Sequence, residues 1–234
     1  MNWYKVATEG RAVPIRGSGS SREYHFTSEQ FGAITREEKV ALARNPSISP
    51  ETQRLFFTEE YAGKRGDMYG ALWSLALNPS MIPEVQRLFF TEEYENKGYA
   101  LESLALRKSI APEVQLLFFT ESYEGTWDVL LRLAINPYIT PETQRLFITE
   151  SYQGKSEILT FLARNGSIHK EIQLLLFTEE YEYKDKALRF LSENKSFLRG
   201  DFTLEELLLI RKVARGGAKL CVLSKRLEQL VGVP

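Results

Sequence analysis

A chain of 234 residues that is 43% hydrophobic and 26% charged, with a formal net charge of −1, has the composition of a soluble folded protein and excludes an intrinsically disordered one. One cysteine, Cys221, excludes an intramolecular disulfide, and no apolar run is long enough to span a bilayer. With no signal-peptide core in Met1-Asn2-Trp3-Tyr4-Lys5-Val6, these bounds predict a cytoplasmic protein without a membrane partner.

Residues 1–34 form a leader. Pro14-Ile15-Arg16-Gly17-Ser18-Gly19-Ser20-Ser21 is flexible by composition, but aromatics on both sides (Trp3, Tyr4, Tyr24, Phe26, Phe31) predict that the leader packs on the first repeat. Thr35-Arg36-Glu37-Glu38 is a capping box, in which the threonine oxygen accepts from an amide of the first turn while Glu38 reaches back. The helix it opens carries Val40, Leu42 and Ala43 and is expected to stop at Asn45-Pro46, because the residue before proline is driven out of the helical region. Ser49 then caps a second helix, with Pro50 at the first position and Glu51 complementing the helix dipole.

The second helix opens a motif, Pro50-Glu51-Thr52-Gln53-Arg54-Leu55-Phe56-Phe57-Thr58-Glu59-Glu60-Tyr61, that occurs five times. Its glutamine recurs at Gln86, Gln115, Gln144 and Gln173, at spacings of 33, 29, 29 and 29 residues. A fixed period of this size marks a stacked array, each unit burying its apolar face against its neighbours. The bends between helices are Asn78-Pro79, Arg107-Lys108, Asn136-Pro137 and Asn165-Gly166. A sixth first-helix follows at residues 187–191, after which the motif is lost. The expected fold is all-α, a right-handed α-solenoid of about five and a half two-helix repeats. Residues 1–34 would be the leader, 35–195 the array and 196–234 a C-terminal helical hairpin cap.

Stepping 100° per residue around the second helix puts Thr52, Leu55 and Phe56 on one stripe and Gln53, Phe57 and Tyr61 on a neighbouring one. Two buried faces suit a helix packed on both its partner and the next unit. Continuing through Glu59 would put a carboxylate in the first stripe, so the helix should end near Thr58.

The composite Leu42-Ala43-Arg44-Asn45-Pro46 followed by Pro50-Glu51 resembles the variant leucine-rich repeat, an α-solenoid family, and recurs from Leu75 to Glu84 and from Leu133 to Glu142. More broadly the chain is similar to HEAT-like solenoids. Two features depart from the family pattern, a longer unit and the Phe-Phe-Thr-Glu-x-Tyr helix end. Some relatives ligate an iron–sulfur cluster through cysteines. With Cys221 alone that group does not carry over, and no cofactor is expected.

The glutamine ladder either recognises a ligand or braces the adjacent turn, and Tyr61, Tyr94, Tyr123, Tyr152 and Tyr181 pose the same alternative. Glu59, Glu92, Glu121, Glu150 and Glu179 form an acidic row, thickened by Glu60, Glu93 and Glu180, that could cap helix ends or face a basic partner. Neither His25 nor His169 has metal-ligand spacing, and His169 occupies a pre-helix capping position. No catalytic or metal-binding set is expected. The repetition breaks at the insertion carrying Lys64, Arg65, Asp67 and Tyr69 and varies around Trp127; with Glu60 and Glu93 these are the expected partner-binding residues.

The tail opens with a second capping box, Thr203-Leu204-Glu205-Glu206, and a glycine turn at Gly216-Gly217 precedes a helix with Lys219, Lys225 and Arg226. That pair reads either as a cap on the array or as a helix-turn-helix. Charge separates the function classes. Residues 41–195 carry 17 Lys/Arg against 22 Asp/Glu, while residues 196–234 carry seven against four. An acidic array suits a protein partner better than a phosphate backbone, so the expectation is a non-enzymatic protein-binding scaffold, with nucleic acid binding through the basic tail as the alternative.

Overall fold

The computed structural model describes residues 13–15, 23–58, 69–94, 96–120, 125–199 and 202–214. Apart from one antiparallel pair of three-residue strands, β1 (Val13–Ile15) and β2 (Glu23–His25), the described chain is all-α, with fourteen helices. It falls into two compact units, Met1–Val129 and Leu130–Pro234.

In the first unit, α1 (Ser28–Ala33) is followed by first helices α2 (Arg36–Ala43), α4 (Tyr69–Ala76) and α6 (Lys97–Ala105). They alternate with second helices α3 (Pro50–Leu55), α5 (Pro83–Thr91) and α7 (Pro112–Thr120). First helices lie against first helices, α2 on α4 and α4 on α6, and second against second, α3 on α5 and α5 on α7. Gly70 belongs to this packing: a Cβ there would stand 3.4 Å from Cγ2 of Val40 on α2.

The phenylalanine doublet is the seam between repeats. Phe57 meets Phe89 of the next repeat edge-to-face at 4.9 Å, and Phe90 meets Phe118 at 4.8 Å. Phe56, Phe89 and Phe118 are fully buried, each such ring contributing roughly 1.5–3 kcal/mol by its removal from water.

The described part of the leader packs on the first repeat, while Trp3 and Tyr4 lie outside the described residues. Phe31 meets Phe56 at 4.8 Å, the Phe26 amide donates to Thr52 Oγ1 at 2.8 Å, and Tyr24 bridges Ile48 in parallel. Flexibility fails for Pro14 and Ile15, which lie in β1, where proline is tolerated on an edge strand. Residues 16–21 lie outside the described residues.

The division between units falls within α8 (Thr126–Ile135). The second unit holds α9 (Pro141–Thr149), α10 (Lys155–Leu162), α11 (Lys170–Thr178), α12 (Lys184–Glu193), α13 (Lys195–Arg199) and α14 (Leu204–Ala214). Here α10 packs on α12, α9 on α11, and α14 on α11.

Local signals hold where side chains satisfy them. Thr35 and Glu38 form the expected reciprocal cap, as do Thr203 and Glu206, and Ser49 and Thr140 cap α3 and α9. A third box, Thr27 with Gln30, opens α1. The second helix of the first repeat, α3, stops at Leu55, short of the expected Thr58, whereas the later ones end at Thr91, Thr120, Thr149 and Thr178. At three of these ends the following glutamate takes extended backbone and caps through its own amide, as Glu92 does to Leu88 O.

Proline does not end the first helices. α6 stops at Ala105 ahead of Arg107-Lys108, and α10 stops at Leu162 ahead of Asn165-Gly166, in the manner of α2 ahead of Asn45-Pro46. What the ends share is a buried polar side chain.

Candidate functional site

Three ladders of recurring polar residues run through the repeats. Among the described residues their side chains bond chiefly within the chain.

Asparagines fill the position after the first helix at Asn45, Asn78, Asn136, Asn165 and Asn194, all buried. Asn78 Nδ2 donates to the main-chain oxygens of Ala43 (2.7 Å) and Asn45 (2.9 Å) of the preceding repeat, while its Oδ1 accepts from the Ser80 amide. Asn165 repeats the arrangement on Ala134, Asn136 and Ser167, and Asn194 on Ala163, Asn165 and Ser196. In the third repeat Arg107 replaces the asparagine. Its guanidinium donates to the carbonyls of Asn78, Pro79, Met81 and Ser109, and burial lowers its pKa to about 10.

The glutamines brace the second helices. Gln86 Nε2 donates to Met81 O and Ser109 O, both at 3.1 Å, and its Oε1 accepts from the Ala111 amide at 2.9 Å. Gln144 does the same with Ile139, Ser167 and His169. Gln53 and Gln173 keep the donor half, but their buried Oε1 atoms have no partner. Tyr94, Tyr152 and Tyr181 close their helix ends by donating to the carbonyl five residues back, while Tyr61 and Tyr123 lie outside the described residues. Burial raises the pKa of all three phenols.

Of the residues expected to bind a partner, Glu60, Lys64, Arg65 and Asp67 lie outside the described residues. Tyr69 is the first residue of α4, and Trp127 is half-buried in the first turn of α8. Glu93 is exposed and pairs with Lys97 at 3.4 Å, an i,i+4 contact of small energetic weight. Lys97 also donates to Phe90 O, as Lys155 does to Ile148 O, putting a cation on the carbonyl end of the preceding helix. His169 takes the N-cap position but makes no side-chain cap bond; its amide serves Gln144 instead. His25 Nδ1 lies 3.1 Å from Ser49 Oγ.

In the tail, Leu207 and Ile210 of α14 are buried, and Lys170 on α11 pairs with Glu206 at 2.7 Å. Lys219, Lys225 and Arg226 of the basic segment lie outside the described residues.

Among the described residues, large apolar side chains are exposed on the outward face of the first helices, which the repeat motif does not reveal. In the first unit Trp73 is 37% exposed, Leu77 44%, Tyr99 55% and Leu106 45%. Trp73 and Leu77 are one turn apart on α4 and the turn after it, while Tyr99 and Leu106 are two turns apart on the neighbouring first helix. Leu77 and Leu106 hold the register position just before the buried polar residue, occupied elsewhere by Arg44, Ile135 and Arg164. The sequence did carry that signal: Leu75-Ala76-Leu77 and Leu104-Ala105-Leu106 are one apolar residue richer than a half-buried helix needs. Comparison of the chain with protein-family models, curated proteins and solved structures finds no significant match.

Proposed function

We propose that the chain is a non-enzymatic helical-repeat scaffold, a right-handed α-solenoid of about five and a half repeats of the variant leucine-rich or HEAT-like kind, that binds another protein. Support for the architecture comes from first helices packing on first and second on second, with the same asparagine and glutamine bonds recurring from repeat to repeat. Residues 1–34 and 196–234 serve as end caps of the 35–195 array in this reading, in line with the Phe31–Phe56 contact and the packing of α14 on α11. Its single cysteine suits a cytosolic setting.

One observation carries the binding assignment. The recurring polar side chains are spent on bracing, while Trp73, Leu77, Tyr99 and Leu106 stay exposed on one face. Large apolar side chains gathered on a surface mark an interaction site. The second helices show a more charged surface, with Glu51 beside Arg54 and Arg145 beside Glu171, and Leu116 on α7 as their one large apolar residue exposed among the described residues. The connections bearing Glu60, Lys64, Arg65, Asp67, Tyr69, Glu93 and Trp127 supply selectivity in this reading.

A photo-crosslinking residue placed at Leu106, and in a second variant at Arg87, tests the assignment in lysate. A discrete protein adduct from position 106 that is missing from position 87 is expected. Adducts from position 87 alone, or conversion of a small molecule by the purified chain, would replace the reading.

A further inference from the structure

Two arginines at the same register position each lie over an aromatic ring of the next first helix. Arg44 follows α2, and its guanidinium lies over the Trp73 ring of the next first helix at 5.9 Å while Nε donates to Ser74 Oγ at 3.2 Å. Arg164 follows α10 and stands over Phe190 of α12 at 3.5 Å and over Phe161 at 5.7 Å. Among the described residues neither pairs with a carboxylate, and both are exposed. Contact with a ring face fixes the planar fork and leaves its terminal donors open to solvent, so little freedom is lost when a carboxylate arrives.

Around Arg44 the surface is apolar. Trp73 and Leu77 lie on the packed neighbour α4 and its C-terminal turn, with Leu106 at the end of the next first helix, about 8–10 Å further on. Among the described residues the negative groups on this face are Glu37, near the start of α2 and roughly 10 Å along the axis from Arg44, and the half-buried Glu102. A phosphate backbone needs a run of cations, whereas among the described residues this patch offers one ring-stacked cation beside three large apolar side chains.

We infer that Arg44 anchors a carboxylate of an acidic, apolar-rich segment of a protein partner, whose apolar side chains lie over Trp73, Leu77 and Leu106. This rests on the protein-binding reading above and adds the chemistry of the partner. Arg164 with Phe190 gives the second unit an anchor of the same kind.

Selection of a displayed random-peptide library against the full chain tests it. Enriched peptides should share an Asp or Glu flanked by Leu, Ile, Phe or Trp. One such peptide should bind Arg44→Glu at least ~10-fold more weakly than the parent. The same peptide with its acid changed to Lys should recover binding on Arg44→Glu, with both proteins melting alike. Enriched peptides without a carboxylate that still depend on Leu77 would overturn the anchor and leave the binding reading standing. Equal binding to parent and Arg44→Glu, displacement of the peptide by duplex DNA, or no enrichment at all would also overturn it.

Discussion

Arg107 donates to the main-chain oxygen of Asn78, the residue that holds its own register position one repeat earlier. Elsewhere an asparagine amide makes that bond, as Asn165 does to Asn136 O and Asn194 to Asn165 O. The site therefore needs a donor to a carbonyl and does not need a charge.

Arg107→Ala and Arg107→Asn should accordingly diverge. The alanine removes the guanidinium's bonds to the carbonyls of Asn78, Pro79, Met81 and Ser109, of which Pro79 O has no other described donor, and should cost about 2–3 kcal/mol. The asparagine restores the donor of the other repeats and should stay within about 1 kcal/mol of the parent. Denaturant melts compare them directly, and equal losses would mean that the cation itself matters.

The glutamine ladder separates bracing from recognition. Gln86→Ala removes three described hydrogen bonds and should cost about 1–3 kcal/mol. Gln53→Ala should cost less, because its Oε1 is already buried without a partner. A Gln86→Ala variant that melts like the parent but loses its partner would move this ladder into the recognition surface.

At a period of 29 residues, the position before the first helix takes left-handed backbone at Asn96, Gly125, Gly154 and Tyr183, with φ of 60°, 78°, 73° and 59°. Asparagine and glycine visit that region readily; tyrosine does so under strain. Tyr183→Gly should raise the melting temperature by about 2 °C. At Gly125 a Cβ would meet nothing within 4 Å, so Gly125→Ala isolates the dihedral cost of about 1 kcal/mol. Thermal melts of the two variants should move in opposite directions.

Alkaline pH should unfold the protein through its buried phenols. Burial raises the pKa of Tyr94, Tyr152 and Tyr181, so the folded state keeps protons that the unfolded state releases above about pH 10. Their contribution is complete below that pH and falls as pH rises. Arg107, held at about 10, acts in the opposite sense, since there the unfolded state keeps the proton longer. Three phenols against one guanidinium give a net loss. Tyr152→Phe should cost about 1 kcal/mol at neutral pH and flatten the decline above pH 10. An unchanged slope would show that Tyr152 does not carry this loss.

Periodicity and caps made the helices legible: Thr35 with Glu38, Ser49, Pro50 and the ending at threonine all act within a few residues. For the glutamines and tyrosines the sequence left bracing and recognition open, and bracing was the alternative that a buried polar side chain at fixed spacing favours. Asn78 was not readable, since its proline neighbour offered a sufficient local reason for the bend while its true partners, Ala43 and Asn45, stand a full repeat away. The exposed face was missed for a related reason. Leu77 and Leu106 each close an apolar run in the sequence, and the packing of neighbouring first helices identifies them as its outward members.

Capture of a protein partner by the Leu77→Asp, Leu106→Asp double variant, compared with the parent at matched melting temperature, tests the central claim most directly. Both leucines are substantially exposed, so the variant should fold and melt like the parent, yet it should fail to retain the crosslinked partner. Undiminished capture by a fully folded variant would contradict the assignment of binding to the first-helix face.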